Sequence, residues 1–342
     1  MDARFRHQLE RIKPIMTKRL IACCDLGGTK MLAGLVSSQG ELLAVEKYLI
    51  NGRGSPQAVL DDLDAVLRRM LASIGRKYDD LAALGFSSTG VLNIETGIVA
   101  MNHNIGWVNV PLRDMAAQRF GLPVILEMDA NAAALGEYWK GAARGISAFA
   151  LVIVGTGIGS GLMLDKRIWH GAHSVAGEIG HTVILPGGPL CGCGKHGCLE
   201  ALASGLAISR RAEAALKLGR TSVLQVSDQA ISGQQVVEAA RAGDELARSI
   251  LEESGFYLGV GLANLITLLD PQVIVIGGGL GVGAFDLLEA PMKRAVQQHL
   301  NYWAARSTPI IPSALGEYAG LYGAARAALD AVSQSILSEV TK

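Results

Sequence analysis

The chain has 342 residues, half of them hydrophobic and 18% charged, with 31 basic side chains balanced by 31 acidic ones. That length and composition suit about two globular domains with cores of their own and exclude a disordered chain. A formal net charge of zero argues against nucleic acid or a membrane surface as the main partner, and no apolar run approaches the roughly 18 to 20 residues of a membrane span.

Residues 1–18 are basic and polar, broken by Pro14, and are expected to form a loosely ordered extension. No apolar signal core with a cleavage site stands there, so a cytoplasmic location is expected. Arg19 to Cys24 reads as a strand, Asp25-Leu26-Gly27-Gly28-Thr29-Lys30 as a Gly-rich turn, and Met31 to Ser37 as the returning strand of a hairpin. From Pro56 to Ile74, Val59, Leu60, Leu63, Val66, Leu67 and Met70 recur as one helix face, with the proline near its start. Strands are predicted at Leu81 to Ser87 and Pro123 to Glu127, and an Ala-rich helix at Asp129 to Lys140. A second hairpin follows: Ala148 to Val154, the turn Gly155-Thr156-Gly157-Ile158-Gly159, and Ser160 to Leu164. Helices are predicted around Ala207 to Leu218 and Ala247 to Leu269, the latter stopped by Pro271. Gln272 to Ile276 reads as a buried strand running into Gly277-Gly278-Gly279, and the chain from Glu317 onward as helix. Strands alternating with helices predict an α/β fold, and the hairpin occurring twice, half a chain apart, predicts a duplicated domain.

The two Gly/Thr turns are candidates for phosphate binding. Glycine lets the backbone approach an anion without a Cβ clash, and a threonine hydroxyl adds a donor. Each turn alone could be a plain tight hairpin; two such turns, each flanked by apolar strands, favour the phosphate reading. Asp25 could hold Mg²⁺ through water. Neither turn has the P-loop spacing, and Gly277, Gly279 and Gly281 do not give the dinucleotide fingerprint. Asp129, between a strand and a helix, is either an N-cap or a general base for a sugar hydroxyl receiving phosphate.

Five cysteines make an odd count. Cys23 and Cys24 lie in an apolar run and read as buried. Cys191, Cys193 and Cys198 share a Gly-rich loop, and with His181 they make the closed three-thiolate, one-imidazole set of a structural Zn²⁺ site. Glu178 and Glu200 flank the cluster. They are either bidentate acceptors for neighbouring sugar hydroxyls or solvated surface carboxylates.

Together these residues resemble the ROK family of sugar kinases and repressors. Asp25 to Lys30 looks like the family's first phosphate motif and Gly155 to Gly159 like its second. Asp129-Ala130-Asn131-Ala132-Ala133-Ala134-Leu135-Gly136-Glu137 resembles the helix of its catalytic Asp. Gly177-Glu178-Ile179-Gly180-His181 and the run from Cys191 to Glu200 look like its sugar and zinc signature. The resemblance implies an actin/hexokinase-like fold of duplicated ribonuclease-H-like halves with an interdomain cleft. It implies a smaller domain over 19–129, a larger one over 130–324 carrying the zinc loop 181–200, and a C-terminal helix at about 325–342 that packs back on the smaller domain.

The activity it implies is transfer of the γ-phosphoryl group of ATP to the 6-hydroxyl of a hexose. Asp129 would be the base, Gly90, Asn104, Glu178, His181 and Glu200 would stand at the sugar, and His181 would serve both zinc and sugar. Asp25, Gly27, Gly28, Thr29, Lys30, Gly155, Thr156 and Gly157 would hold the phosphates, and Gly277, Gly278 and Gly279 would face the adenosine. Its partners would be a sugar and a nucleotide with Mg²⁺, and a homodimer or higher homo-oligomer is expected.

Two positions depart from the family pattern. Met128 stands where an Asn usually precedes the catalytic Asp, and Ser88-Thr89-Gly90 stands where glucokinase-like members have Pro-Gly. The latter resembles N-acetylmannosamine kinases, a second candidate activity. A third, a sugar-responsive repressor, would need a helix-turn-helix domain for which the stretch before the first strand is too short.

Overall fold

Short apolar strands between amphipathic helices bury their side chains in layers. The computed structural model of the chain describes residues 20–28, 30–50, 55–225, 230–301 and 307–340. The expected N-terminal extension and Thr29 lie outside the described residues. The chain divides into two units. One comprises the described residues up to Arg144 together with those from Tyr318 onward; the other is Gly145–Glu317.

In the first unit, β1 (Leu20–Leu26), β2 (Lys30–Ser37), β3 (Leu42–Leu49) and β4 (Leu81–Ser88) are followed by the short strands β5 (Val91–Asn93), β6 (Ile98–Asn102) and β7 (Trp107–Val110), and then by β8 (Val124–Met128). The main sheet has the order β3-β2-β1-β4-β8; β5, β6 and β7 form a small sheet of their own. β1, β4 and β8 are parallel, while β2 and β3 run antiparallel. Helix α1 (Pro56–Ser73) has proline in its first turn, and Ser55 accepts the Ala58 N–H at 3.3 Å, so both start signals act together. Its predicted apolar face packs on one side of the sheet with Ala22, Cys24 and Leu26 and with helix α2 (Leu112–Phe120). Ile21 and Cys23, on the alternate side, pack on the opposite layer.

In the second unit, β9 (Phe149–Val154), β10 (Ile158–Leu164), β11 (Arg167–Ile168), β12 (Val273–Gly277) and β13 (Ile310–Pro312) form a sheet of order β11-β10-β9-β12-β13. Its pairing repeats the first strand for strand: β9 is antiparallel to β10 and parallel to β12, which is parallel to β13. The two predicted hairpins therefore open two copies of one topology.

The division between units differs from the one expected at 129/130. Helix α3 (Asp129–Lys140) belongs to the first unit, where it packs against the C-terminal helix Ala319–Val340. The reason is a close helix crossing. A Cβ on Gly323 would collide with the Ala132 carbonyl, and one on Gly136 with the Ala319 carbonyl, so glycine at both positions lets the backbones touch. That contact ties α3 to the layer formed by Leu321, Ala324, Ala325 and Ala328. A second difference is local: β1 runs through Asp25 to Leu26, so Asp25 is a strand residue paired with Leu32 and Ser87, not part of the turn. Among the described residues, no helix is long and apolar enough to cross a membrane.

Candidate functional site

In the first unit the three parallel strands bring Asp25, Ser87 and Glu127 into one row, with Leu26, Ser88 and Met128 in the next. Neighbouring strands lie about 4.8 Å apart, so the backbones of β1 and β8 are roughly 10 Å apart across β4. Asp129 follows Met128 directly and is the first residue of α3, where its Oδ1 accepts the Ala130 N–H at 2.8 Å. At the same strand ends, Gly27 donates to the Lys30 carbonyl at 3.1 Å to close the first Gly turn. Lys30 itself is exposed, at the start of β2. Asn104 lies over Gly28: a Cβ there would stand 2.7 Å from the Asn104 Cβ. The Asn104 N–H donates to Asn102 Oδ1 at 3.1 Å, and the buried Asn102 amide donates to the Thr89 carbonyl at 2.9 Å. Gly90 has φ 102°, and a Cβ on it would collide with the Met101 carbonyl. Of the sugar and phosphate candidates in this unit, Asp25, Gly27, Gly28, Gly90, Asn104 and Asp129 thus converge on one sheet edge.

Asp25 accepts Ser87 Oγ at 2.7 Å, and its carboxyl group lies 3.0 Å from where a Cβ on Gly320 would sit. Burial raises its pKa above the usual carboxylate range, and the Ser87 bond opposes that shift. An acid with a raised folded pKa gives stability that is present below its unfolded pKa and lost as pH rises through the folded value. Asp25→Asn, which still accepts from Ser87, is therefore expected to raise the Tm of the ligand-free chain at pH 7. The expected gain is about 1 kcal/mol, and it should fade as pH falls below the usual carboxylate range, where the carboxyl is protonated in both the folded and the unfolded chain. Melting curves at the two pH values check this; a variant no more stable at pH 7 would contradict it.

In the second unit, the Gly155–Gly157 turn joins β9 to β10; helices α4 (Leu199–Ala203), α5 (Gly205–Lys217), α6 (Gly233–Arg241) and α7 (Glu245–Leu269) follow β11, and β12 leads into α8 (Gly279–Gly283) and α9 (Phe285–His299). Gly155 and Thr156 line a cavity of about 500 Å³ with Gly205, Leu206, Ser232 and Gln234 of the helix starts and with Gly279 and Leu280. That volume is in the range of a small-molecule site. Of the predicted glycine triplet only Gly279 lines it. Gly277 is buried against Leu151, and Gly278, at φ 82°, sits where a Cβ would collide with the Val154 carbonyl. Gly157 faces Glu200, which occupies the place of a side chain there. Helix α6 was not among the predicted elements, although Ser232 and Gln235 form a reciprocal capping box at its start, a signal that could have found it.

His181, Cys191, Cys193 and Cys198 have donor atoms within 4.8 Å of one another. Cys193 Sγ and Cys198 Sγ lie 3.7 Å apart, as do Cys191 Sγ and His181 Nδ1. Ligands bound at about 2.3 Å at the corners of a tetrahedron are separated by roughly 3.7 Å, so this donor set fits a Zn²⁺ ion. Burial pushes the Cys198 thiol up to about 12, so a bound cation must displace its proton. Nδ1 is the histidine nitrogen on the thiol side. Gly197, at φ 75°, lets the loop pass the Leu185 carbonyl, where a Cβ would collide. Glu178 is exposed and lines a separate groove with Thr182, Asn264 and Leu265. Glu200, in contrast, reaches the Gly155–Gly157 turn and accepts the Ile158 N–H at 3.0 Å.

Comparison with known proteins places these features in one lineage. The ROK family profile matches residues 21–331. The glucokinase of Halalkalibacterium halodurans is 34% identical over 312 residues, covering 90% of this chain and 94% of that one. The N-acetylmannosamine kinase of Haemophilus influenzae is 31% identical, with 88% of this chain and 92% of that one covered. The crystal structure of a ROK family glucokinase from Streptomyces griseus, in complex with glucose and AMPPNP, superposes with a TM-score of 0.73 at 34% identity, covering 91% of this chain and 99% of that one. The repeated sheet order and this superposition show the expected hexokinase-like fold. The chain belongs to the ROK family.

Proposed function

We propose that the chain is an ATP-dependent sugar kinase with Asp129 as general base. As the hexose 6-oxygen attacks the γ-phosphorus, Asp129 takes its proton, a phosphorus–oxygen bond forms, and the bond from the γ-phosphorus to the bridging oxygen of ADP breaks. Such a transfer needs positioning and charge neutralisation more than covalent help. One observation carries the reading: Asp129 stands one residue past the row Leu26, Ser88 and Met128, at the strand ends that also bear the Gly27–Gly28 turn and Asn104. Support comes from the glucokinase relative and from the related structure that holds glucose and AMPPNP.

In this reading the cavity at Gly155, Thr156 and Gly279 takes the nucleotide. Glu178, Glu200, Gly90, Asn104 and the far nitrogen of His181 contact the sugar. Mg²⁺, held through water by Asp25, would neutralise phosphate charge, and Zn²⁺ on His181, Cys191, Cys193 and Cys198 would stiffen its loop.

A second substrate, an N-acylhexosamine, is supported by the Ser88-Thr89-Gly90 segment and by the N-acetylmannosamine kinase relative. Met128 packs with the apolar core of the first unit and gives no hydrogen bond to a hydroxyl, so the sugar is held differently at that position or is a different one. A coupled ADP-release assay over hexoses and N-acetylhexosamines decides between the two by kcat/KM. No turnover with any sugar, in folded and zinc-loaded protein, would remove the kinase reading.

A further inference from the structure

The carboxylate of Glu200 joins two parts of the second unit that lie 42 residues apart in the sequence. It stands in the first turn of α4, two residues after Cys198. Its Oε2 accepts the N–H of Ile158 at 3.0 Å, immediately after Gly155-Thr156-Gly157, and its Oε1 lies 3.8 Å from Cys191 Sγ. The same oxygen that meets Ile158 fills the space a Cβ on Gly157 would need.

The start of α5 completes the hold. Gly205 N–H donates to the Gly155 carbonyl at 2.8 Å, and Leu206 N–H donates to the Thr156 carbonyl at 3.3 Å. In a planar trans peptide the N–H points opposite to the C=O. Fixing those two carbonyls on the α5 side therefore turns the Thr156 and Gly157 N–H groups the other way, so the turn cannot flip its donors. Gly155 N–H is spent within the turn, on the Gly157 carbonyl at 2.9 Å. The segment leaving the thiol loop thus sets which amides of the turn remain for an anion.

We propose that Glu200 is a positioning residue for the nucleotide: a strut that passes the rigidity of the thiol–histidine loop to the Gly155–Gly157 turn, separate from any contact it makes with sugar. The proposal rests on the kinase reading given above. Because the strut lies wholly within the second unit, its effect appears in nucleotide binding with no sugar present.

Isothermal calorimetry with AMPPNP and Mg²⁺, on zinc-loaded full-length protein without sugar, tests it. Glu200→Ala is expected to weaken binding about tenfold, the loss of one charge-assisted hydrogen bond that fixes the turn. Glu200→Gln keeps an acceptor for Ile158 and is expected to stay within about threefold of the wild type, since a neutral bond replaces a charged one. Gly157→Ala, whose Cβ displaces the carboxylate, should reproduce the loss with the chemical identity of Glu200 and of every metal ligand unchanged. Zinc content, read with a chromogenic chelator after denaturation, should be equal in Gly157→Ala, Glu200→Gln and the wild type. Wild-type affinity in both Glu200→Ala and Gly157→Ala overturns the strut, as does a Glu200→Gln variant as weak as Glu200→Ala. A wild-type protein that binds no nucleotide fails the kinase reading instead.

Discussion

Asp129→Asn is expected to lower kcat by about 10² to 10⁴, the usual contribution of a positioned general base, with sugar and nucleotide dissociation constants nearly unchanged. The substitution is close to isosteric. The new side-chain oxygen still accepts the Ala130 N–H that Asp129 Oδ1 holds at 2.8 Å, so the start of α3 stays formed. The position of α3 is set by its glycine crossing with the C-terminal helix and not by this side chain. What is lost is the capacity to take a proton while the sugar oxygen attacks. A fall in kcat and in kcat/KM by the same factor marks an interaction made only in the transition state. Steady-state kinetics with saturating ATP, paired with calorimetry for each ligand, reads this directly. Turnover near that of the wild type would remove Asp129 from the role of base.

Removing the Zn²⁺ proposed for the Cys191–Cys198 loop, by a strong chelator or by Cys191→Ala, is expected to be the second large effect. Apparent binding energies at sites of this kind are on the order of 10 kcal/mol, and this loop has little else to fold around. Val183, Leu185 and Leu190 are exposed. Its β-type pairing consists of isolated bridges between Val183 and Cys198 and between Leu190 and His196. Cys191 and Cys198 are buried in the loop, so the donor cluster itself takes the place of a hydrophobic core. The metal-free chain is expected to show a lower Tm and rapid proteolytic cleavage between Thr182 and Cys198, and added Zn²⁺ should reverse both. Through Glu200 and Gly205 the disturbance should also reach the Gly155–Gly157 turn. An unchanged melting curve and digestion pattern after complete metal removal would overturn this account.

Position 128 closes β8 immediately before the proposed base. In β8, Val124, Leu126 and Met128 lie on one face, against the core that includes α1 and α2, while Ile125 faces the other layer. The thioether extends this apolar row to the strand end, beside the proposed base.

How much could be read in advance follows the range of the interactions involved. The thiol cluster was legible because its cysteines stand within eight residues in a Gly-rich loop, and metal geometry constrains such spacing tightly. The place of Asp129 at a strand–helix junction was legible because an apolar run gives way there to an Ala-rich one. The strands β5 to β7 escaped notice because each is short, and the alternating β3 because half of its residues are covered only on one face.

By itself the sequence determined the two repeated hairpins, the layered α/β class and the chemical inventory, since periodicity and ligand spacing are local properties of a chain. Tertiary structure decided which of those residues meet. It put Ser87 and Gly320 against Asp25, Asn104 over Gly28, Glu200 beneath Gly157, and α3 in the first unit through the small-residue crossing at Gly136 and Gly323. Each of those contacts joins residues far apart in the chain through strand register or close backbone packing, and neither leaves a mark in any short window of sequence.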